Sequence, residues 1–204
     1  MVAKYRVACF LEDAAQESLV PALFLRLVRE EGLLREDFQV EVLYARGGAS
    51  LGALKAFVAD SIKTKSLRAD LLIVGSDANC KGFVKRREWI ARQTRKSQYN
   101  GVIAAIPDPH IERWYVLDLA ALGRASGVKI TVQLPDHKCD KNYYKHILRN
   151  AFRGTGIEPP LGGSEFGGLL AEEMDLYAAG KKEHSLADFV DGVRGWLMQV
   201  KGWK

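Results

Sequence analysis

One stretch narrows the choices for this chain more than any other: Asp70-Leu71-Leu72-Ile73-Val74-Gly75-Ser76-Asp77-Ala78-Asn79-Cys80-Lys81-Gly82. Its apolar run has no polar interruption, which reads as a strand buried on both faces, as in a parallel sheet covered by helices. The run then breaks into small and ligand-capable side chains. In open α/β sheets the site lies beyond the carboxyl ends of the strands, which is where Asp77 and Asn79 would fall.

The rest of the chain supplies partners for that strand. Tyr5–Leu11 reads as a first strand ending at Glu12-Asp13, with Asp13 as helix cap and Leu19, Leu23 and Leu27 marking an apolar helical face up to Gly32. Phe38–Tyr44 is a second strand, closed by Arg46-Gly47-Gly48, and Leu51–Ile62 repeats the helical spacing. Asn100-Gly101 is a turn before a fourth strand, Val102–Ile106, and the prolines at 107 and 109 defer the next helix to about Ile111. Alternation over Val128–Leu134 predicts a late, less buried strand. Helices follow over Tyr143–Phe152, Phe166–Tyr177 and Leu186–Val200, with a Gly/Pro-rich loop at Gly154–Gly163. This order argues an α/β fold: a mostly parallel sheet flanked by helices over residues 1–135, and a helical C-terminal extension over 136–204 packed on it.

Three strand ends carry carboxylates: Glu12, Asp77, and Asp108 with Glu112. Right-handed crossovers would bring them to one edge of the sheet. Carboxylates gathered in a partly dry site repel one another unless a cation neutralises them, and all-oxygen ligation suits Mg²⁺ or Mn²⁺. Such a metal opens a route to phosphodiester hydrolysis. Taken singly, each acid is as easily read as a helix cap.

The segment Ala8-Cys9-Phe10-Leu11-Glu12-Asp13, together with Leu72-Ile73-Val74-Gly75-Ser76-Asp77-Ala78-Asn79, resembles a Toprim-type catalytic core. The stretch from Ile106 to Asp118, with Glu112-Arg113-Trp114, is similar to a motif in small Toprim-like proteins related to the OLD-type and RloB-like nucleases. The resemblance covers roughly the first 120 residues and implies a Rossmann-like, Mg²⁺-dependent (or Mn²⁺-dependent) nuclease acting in the cytoplasm, with a role in defence against phage or in RNA processing. It implies Glu12 as metal ligand or general base, Asp77 as principal metal ligand and Asn79 as auxiliary ligand, with Asp108 or Glu112 restoring charge. Asn79 stands where the family carries a second acid, and Asp13 where it carries a glycine, the next acidic position being shifted to Gln16 or Glu17.

A basic segment follows the central strand. Lys81, Lys85, Arg86, Arg87, Arg92, Arg95 and Lys96 are candidate phosphate contacts, with Lys81 and Arg113 the nearest to the acids. Val84, Trp89 and Ile90 are its expected inner contacts, and a solvated helix face is the plainer alternative. The formal charge of +5 permits a polyanionic partner without requiring one.

Other chemistries find less support. Cys80, His110, His137 and Cys139 match no familiar zinc spacing, and no Gly-x-Ser-x-Gly elbow is present. The Arg46-to-Ser50 loop lacks the lysine of a P-loop. His110 reads as a cap or a carboxylate partner before it reads as a catalyst. Three cysteines without a CxxC pair fit a reducing cytoplasm, and no apolar run approaches the ~18 residues of a membrane span. The leading expectation is therefore nucleic-acid cleavage, DNA or RNA. The alternatives are a non-catalytic nucleic-acid-binding or regulatory module and a phosphoryl-transfer enzyme on a small substrate. A homodimer or a partner protein stays open.

Overall fold

Parallel strands flanked by helices carry out the alternation in the computed structural model, which describes residues 4–44, 50–64, 69–97, 99–132, 139–140 and 142–202. Strands β1 (Tyr5–Leu11), β2 (Phe38–Tyr44), β3 (Leu71–Gly75) and β4 (Gly101–Ala105) form one sheet in the order β2-β1-β3-β4. Every pairing is parallel, with Val7–Phe10 beside Leu71–Val74. All five residues of β3 are buried, as its uninterrupted apolar run requires.

The order has a functional corollary. From β1 the chain moves outward to β2, then crosses to β3 and continues to β4 on the other side. The direction of winding thus reverses between β1 and β3, and a crevice opens at that reversal beyond the strands' carboxyl ends.

Side-chain alternation sorts the helices onto the two faces. Val7, Cys9, Leu11, Leu71 and Ile73 pack against α1 (Ala14–Glu30), while Ala8, Phe10, Leu72 and Val74 meet Leu54 and Val58 of α2 (Ser50–Thr64) and Ile90 of α3 (Phe83–Thr94). Helix α1 starts where Asp13 accepts the Gln16 N–H at 2.9 Å. It stops where Gly32 takes a left-handed φ of +68° and the Leu33 N–H returns to Val28 O.

After β4 the chain folds back over the α1 face as α4 (Ile111–Val116), α5 (Leu119–Ser126), α6 (Tyr143–Ala151), α7 (Gly167–Glu173), α8 (Leu176–Lys182) and α9 (His184–Gly202). The boundary expected at 135/136 lies outside the described residues. The helices on either side of it share one apolar cluster, in which Trp114, Tyr144, Leu170, Phe189 and Trp196 join Leu19 and Phe24 of α1. Among the described residues no helix is long and apolar enough to cross a membrane.

Two expected elements differ. Residues 128–132 form no strand: the Val128 N–H bonds back to Gly123 O at 3.0 Å, and Val128, Ile130 and Val132 serve as apolar cover on the core. Alternation reported their half-burial, but nothing pairs with their backbone as a strand; the rest of that prediction, 133–134, is outside the described residues. The helix expected over Phe166–Tyr177 is interrupted at Met174, which is extended, and restarts because Asp175 caps the Ala178 N–H at 2.9 Å.

Candidate active site at the carboxyl edge of the sheet

Glu12 leaves β1 and Asp77 follows β3 by two residues, so the two acids flank the crevice at the winding reversal. They are joined directly: the Asp77 N–H donates to Glu12 Oε2 at 3.0 Å, and the Ser76 hydroxyl lies 3.3 Å from the same oxygen. A third residue closes the arrangement. The Gln16 Nε2 donates to Asp77 Oδ1 at 3.0 Å, while its Oε1 accepts the Glu12 N–H at 2.9 Å. Gln16 is fully buried and reaches across because Gly75 has no side chain; a Cβ there would run into Gln16 Oε1 and Leu11 Cδ2.

Asp77 is 8% exposed. Its Oδ1 also accepts the Ile111 N–H at 3.1 Å, and its Oδ2 lies 3.2 Å from His110 Nδ1. Burial pushes the Asp77 carboxyl up to about 6, against the His110 hydrogen bond and with the charges of Glu12, Asp13 and Glu112. His110 is in turn raised, chiefly by its bond to Asp77. Of the two readings the sequence left level for His110, cap or carboxylate partner, its side chain takes the second.

These groups line a cavity of about 350 Å³ with Glu12, Asp13, Asp77, Asn79, Cys80, His110, Asn142 and Lys145. Asn142 and Lys145 come from the start of α6, and neither was among the candidate site residues of the sequence. They are delivered because Tyr144 and Leu148 of α6 are buried in the core, which turns Lys145 toward the cleft. Gln16 was visible only as a displaced acidic position, yet it is the residue that fastens Glu12 to Asp77.

The other expected acids are placed differently. Asp108 accepts the Phe83 N–H at 3.2 Å and so caps α3, whose own N-cap, Gly82, has no side chain to offer. Glu112 is 6% exposed, with Oε1 3.6 Å from Lys145 Nζ and Oε2 without a hydrogen-bond partner. Burial raises its carboxyl above the ordinary range. Asn79, at a left-handed φ of +50°, donates its side-chain amide to Asp77 O at 3.3 Å, which leaves its carbonyl oxygen as a neutral donor.

The basic residues divide. Lys81, Lys85 and Arg87 are exposed, and Arg87 pairs with Asp188 at 2.8 Å. Arg86 and Arg113 are not on that surface. Arg86 is buried where Val84 was expected, while Val84 is 64% exposed. Arg113, 7% exposed, is ion-paired with Glu183 and bonded to the Tyr144 hydroxyl, so its charge holds α4 to the C-terminal helices and is not free for a phosphate.

Cys80 and Cys139 form a disulfide with Cα atoms 5.5 Å apart, which ties the loop after β3 to the segment ahead of α6. Their thiolates are therefore not zinc ligands, and the cysteine argument for a reducing compartment loses its basis. Cys9 is the buried free thiol, pushed up to about 12 by burial. His137 and the 45–49 loop lie outside the described residues.

Among the described residues no group of three or more His, Cys, Asp or Glu side chains could by itself hold a metal. A magnesium ion needs less than that, because it binds through one or two carboxylates and keeps waters or phosphate oxygens. The oxygen donors of Glu12, Asp77 and Asn79 around one cleft fit such an ion. No protein-family model matches the chain, and comparison with curated proteins and with solved structures likewise finds no match.

Proposed function

We propose that this cleft is a Toprim-like site for Mg²⁺-dependent (or Mn²⁺-dependent) phosphodiester hydrolysis of nucleic acid. One observation carries the reading: Glu12 and Asp77 converge at the winding reversal of a parallel sheet and are held there by a dedicated buried glutamine. Glu12 and Asp77 would hold the ion, with the Asn79 carbonyl as a neutral third donor. When bound, the ion would lower the pKa of a water and neutralise the phosphate.

The chain's own residues do the rest. Gln16 fixes the separation of the two acids, and Asp77 orients His110 through Nδ1, which leaves Nε2 as the ring nitrogen for a proton on the substrate. Lys145, exposed beside the cleft, offers a cation to the phosphate. Lys81 and Lys85 add positive charge beyond the loop.

Asn79 favours a second reading, a nucleic-acid-binding module without catalysis, because it removes one negative charge from the donor set. Cleavage assays separate the two. Single- and double-stranded DNA and RNA are incubated with Mg²⁺, Mn²⁺ or EDTA, beside Glu12→Gln and Asp77→Asn. Metal-dependent cleavage reduced about 100-fold or more in both variants is expected, since loss of even an outer partner of a metal site costs 10- to 100-fold. Salt-sensitive binding without cleavage would establish the second reading instead.

A further inference from the structure

Exposed cations also line a helix that the sequence did not single out as basic. Helix α6 buries Tyr144, Leu148 and Ala151 and exposes Lys145, His146 and Arg149, with Arg153 exposed just beyond its end. Lys145, Arg149 and Arg153 are spaced four residues apart, so the stripe advances about 6 Å per cation where it is helical. Lys145 is partly compensated by Glu112, whereas neither the Arg149 nor the Arg153 side chain makes an ion pair among the described residues.

This stripe borders a string of cavities that begins at the acid cleft. The cleft shares Asp13 and Lys145 with a second cavity of about 240 Å³. The second shares Arg149 and Gly162 with a third of about 680 Å³, where Arg153, Ile157 and two prolines contribute. The carboxylates along the way are Asp13 and Glu112 near the cleft and Glu158 at the far end.

We propose that α6 and this string of cavities form a track for the backbone of a single-stranded nucleic acid, guiding it into the acid cleft. The proposal rests on the phosphodiester reading of that cleft. Evenly spaced cations beside a groove are what a backbone-tracking surface needs. Cavities of about 240 to 680 Å³ cannot enclose a duplex, and Asp77 is almost wholly buried at the cleft, so the phosphate has to arrive on a strand that can bend inward. The apolar side chains of Ile157, Pro159 and Pro160 give the bases a surface to rest on in the third cavity.

The test is binding without cleavage. A fluorescent oligothymidylate of about 12 nucleotides, within the usual site sizes of single-strand grooves, is titrated with the full chain in EDTA across a salt series. Arg149→Ala/Arg153→Ala is expected to reduce the slope of log K against log salt by about 1.4, two contacts at about 0.7 each for a single strand. Arg149→Lys/Arg153→Lys is expected to restore it, and Arg29→Ala/Arg124→Ala, exposed cations of α1 and α5 outside the stripe, to leave it nearly unchanged. A wild-type slope in the Arg149→Ala/Arg153→Ala protein overturns the track while leaving the cleavage assay to judge the cleft. A duplex bound as tightly as the single strand overturns the single-strand assignment. Failure of the wild-type chain to bind at low salt overturns the track and the nucleic-acid substrate together.

Discussion

Two pairs of carboxylates leave the same edge of the sheet and meet different fates. Glu12 and Asp77 are hydrogen-bonded into a shared constellation that lines an open cleft, whereas Asp108 is spent on the first turn of α3 and Glu112 is buried beside Lys145. All four follow strands, and all four looked alike as letters. What separates them is the identity of their nearest donors. Asp108 faces a helix end that lacks a capping side chain, and Glu112 sits on α4, a helix with every residue buried. Strand-end acids here meet in an open cleft only where the winding of the sheet leaves a crevice beside them.

The sharpest way to break this contrast is through the clasp. Gln16→Leu keeps the volume near the acids but removes both hydrogen bonds to the Glu12–Asp77 constellation, and is expected to lower cleavage about 10- to 100-fold. As Gln16 acts through the acids, the loss should appear with a shifted metal dependence, read by repeating the rate measurement across a Mn²⁺ series. An unchanged metal dependence would make Gln16 merely structural.

The second effect is one of pH. The Asp77 carboxyl is raised from an ordinary 3.8 to about 6 in the folded protein, so the folded state binds the proton more tightly than the unfolded chain. Its contribution to stability is full below about 3.8 and is lost as pH rises through about 6. His110, also raised, loses its contribution in the same direction as pH climbs past its ordinary 6.5. Urea unfolding of the metal-free protein should therefore show the stability of wild type falling relative to Asp77→Asn between about pH 4 and pH 7. A difference that is flat or rises with pH would contradict the placement of Asp77.

Smaller effects fall on the other pair. Asp108→Ala removes the bond to the Phe83 N–H and is expected to cost about 1 kcal/mol in urea unfolding, the usual worth of a helix cap, with metal binding intact. Glu112→Gln removes a carboxylate whose ionised form is disfavoured by burial. It should change stability by less than about 1 kcal/mol, the scale of a long, half-exposed ion pair. The sign of that change should be stabilising, and larger at pH 8 than at pH 5. Loss of metal binding in either variant would return Asp108 or Glu112 to the site.

Much of this could be read before any coordinates. The apolar run Leu71–Val74 announced a strand covered on both faces, Asp13 a helix start, Gly32 its end, and the prolines at 107 and 109 the delayed start of α4 at Ile111. Local chemistry decides these features, so local sequence reveals them. The rest depends on what packs against what. Arg113 reads as a surface cation until Glu183, seventy residues away, is folded against it. Ile90 keeps its expected inner place, but the buried face of α3 runs through Arg86, Ile90 and Thr94, so Arg86 is covered and Val84 exposed. Lys145 and Asn142 reach the cleft only through the burial of Tyr144 and Leu148, and the pairing of Cys80 with Cys139 needs both ends of that same return.

The central claim is that Glu12 and Asp77, not Asp108 and Glu112, hold a divalent cation. Calorimetric titration of Mn²⁺ into the metal-free protein tests it most directly, with wild type beside the four single variants Glu12→Gln, Asp77→Asn, Asp108→Asn and Glu112→Gln. The account predicts saturable binding to wild type that is lost in the first two variants and kept in the last two. Mn²⁺ binding that survives in Asp77→Asn at wild-type affinity would contradict it.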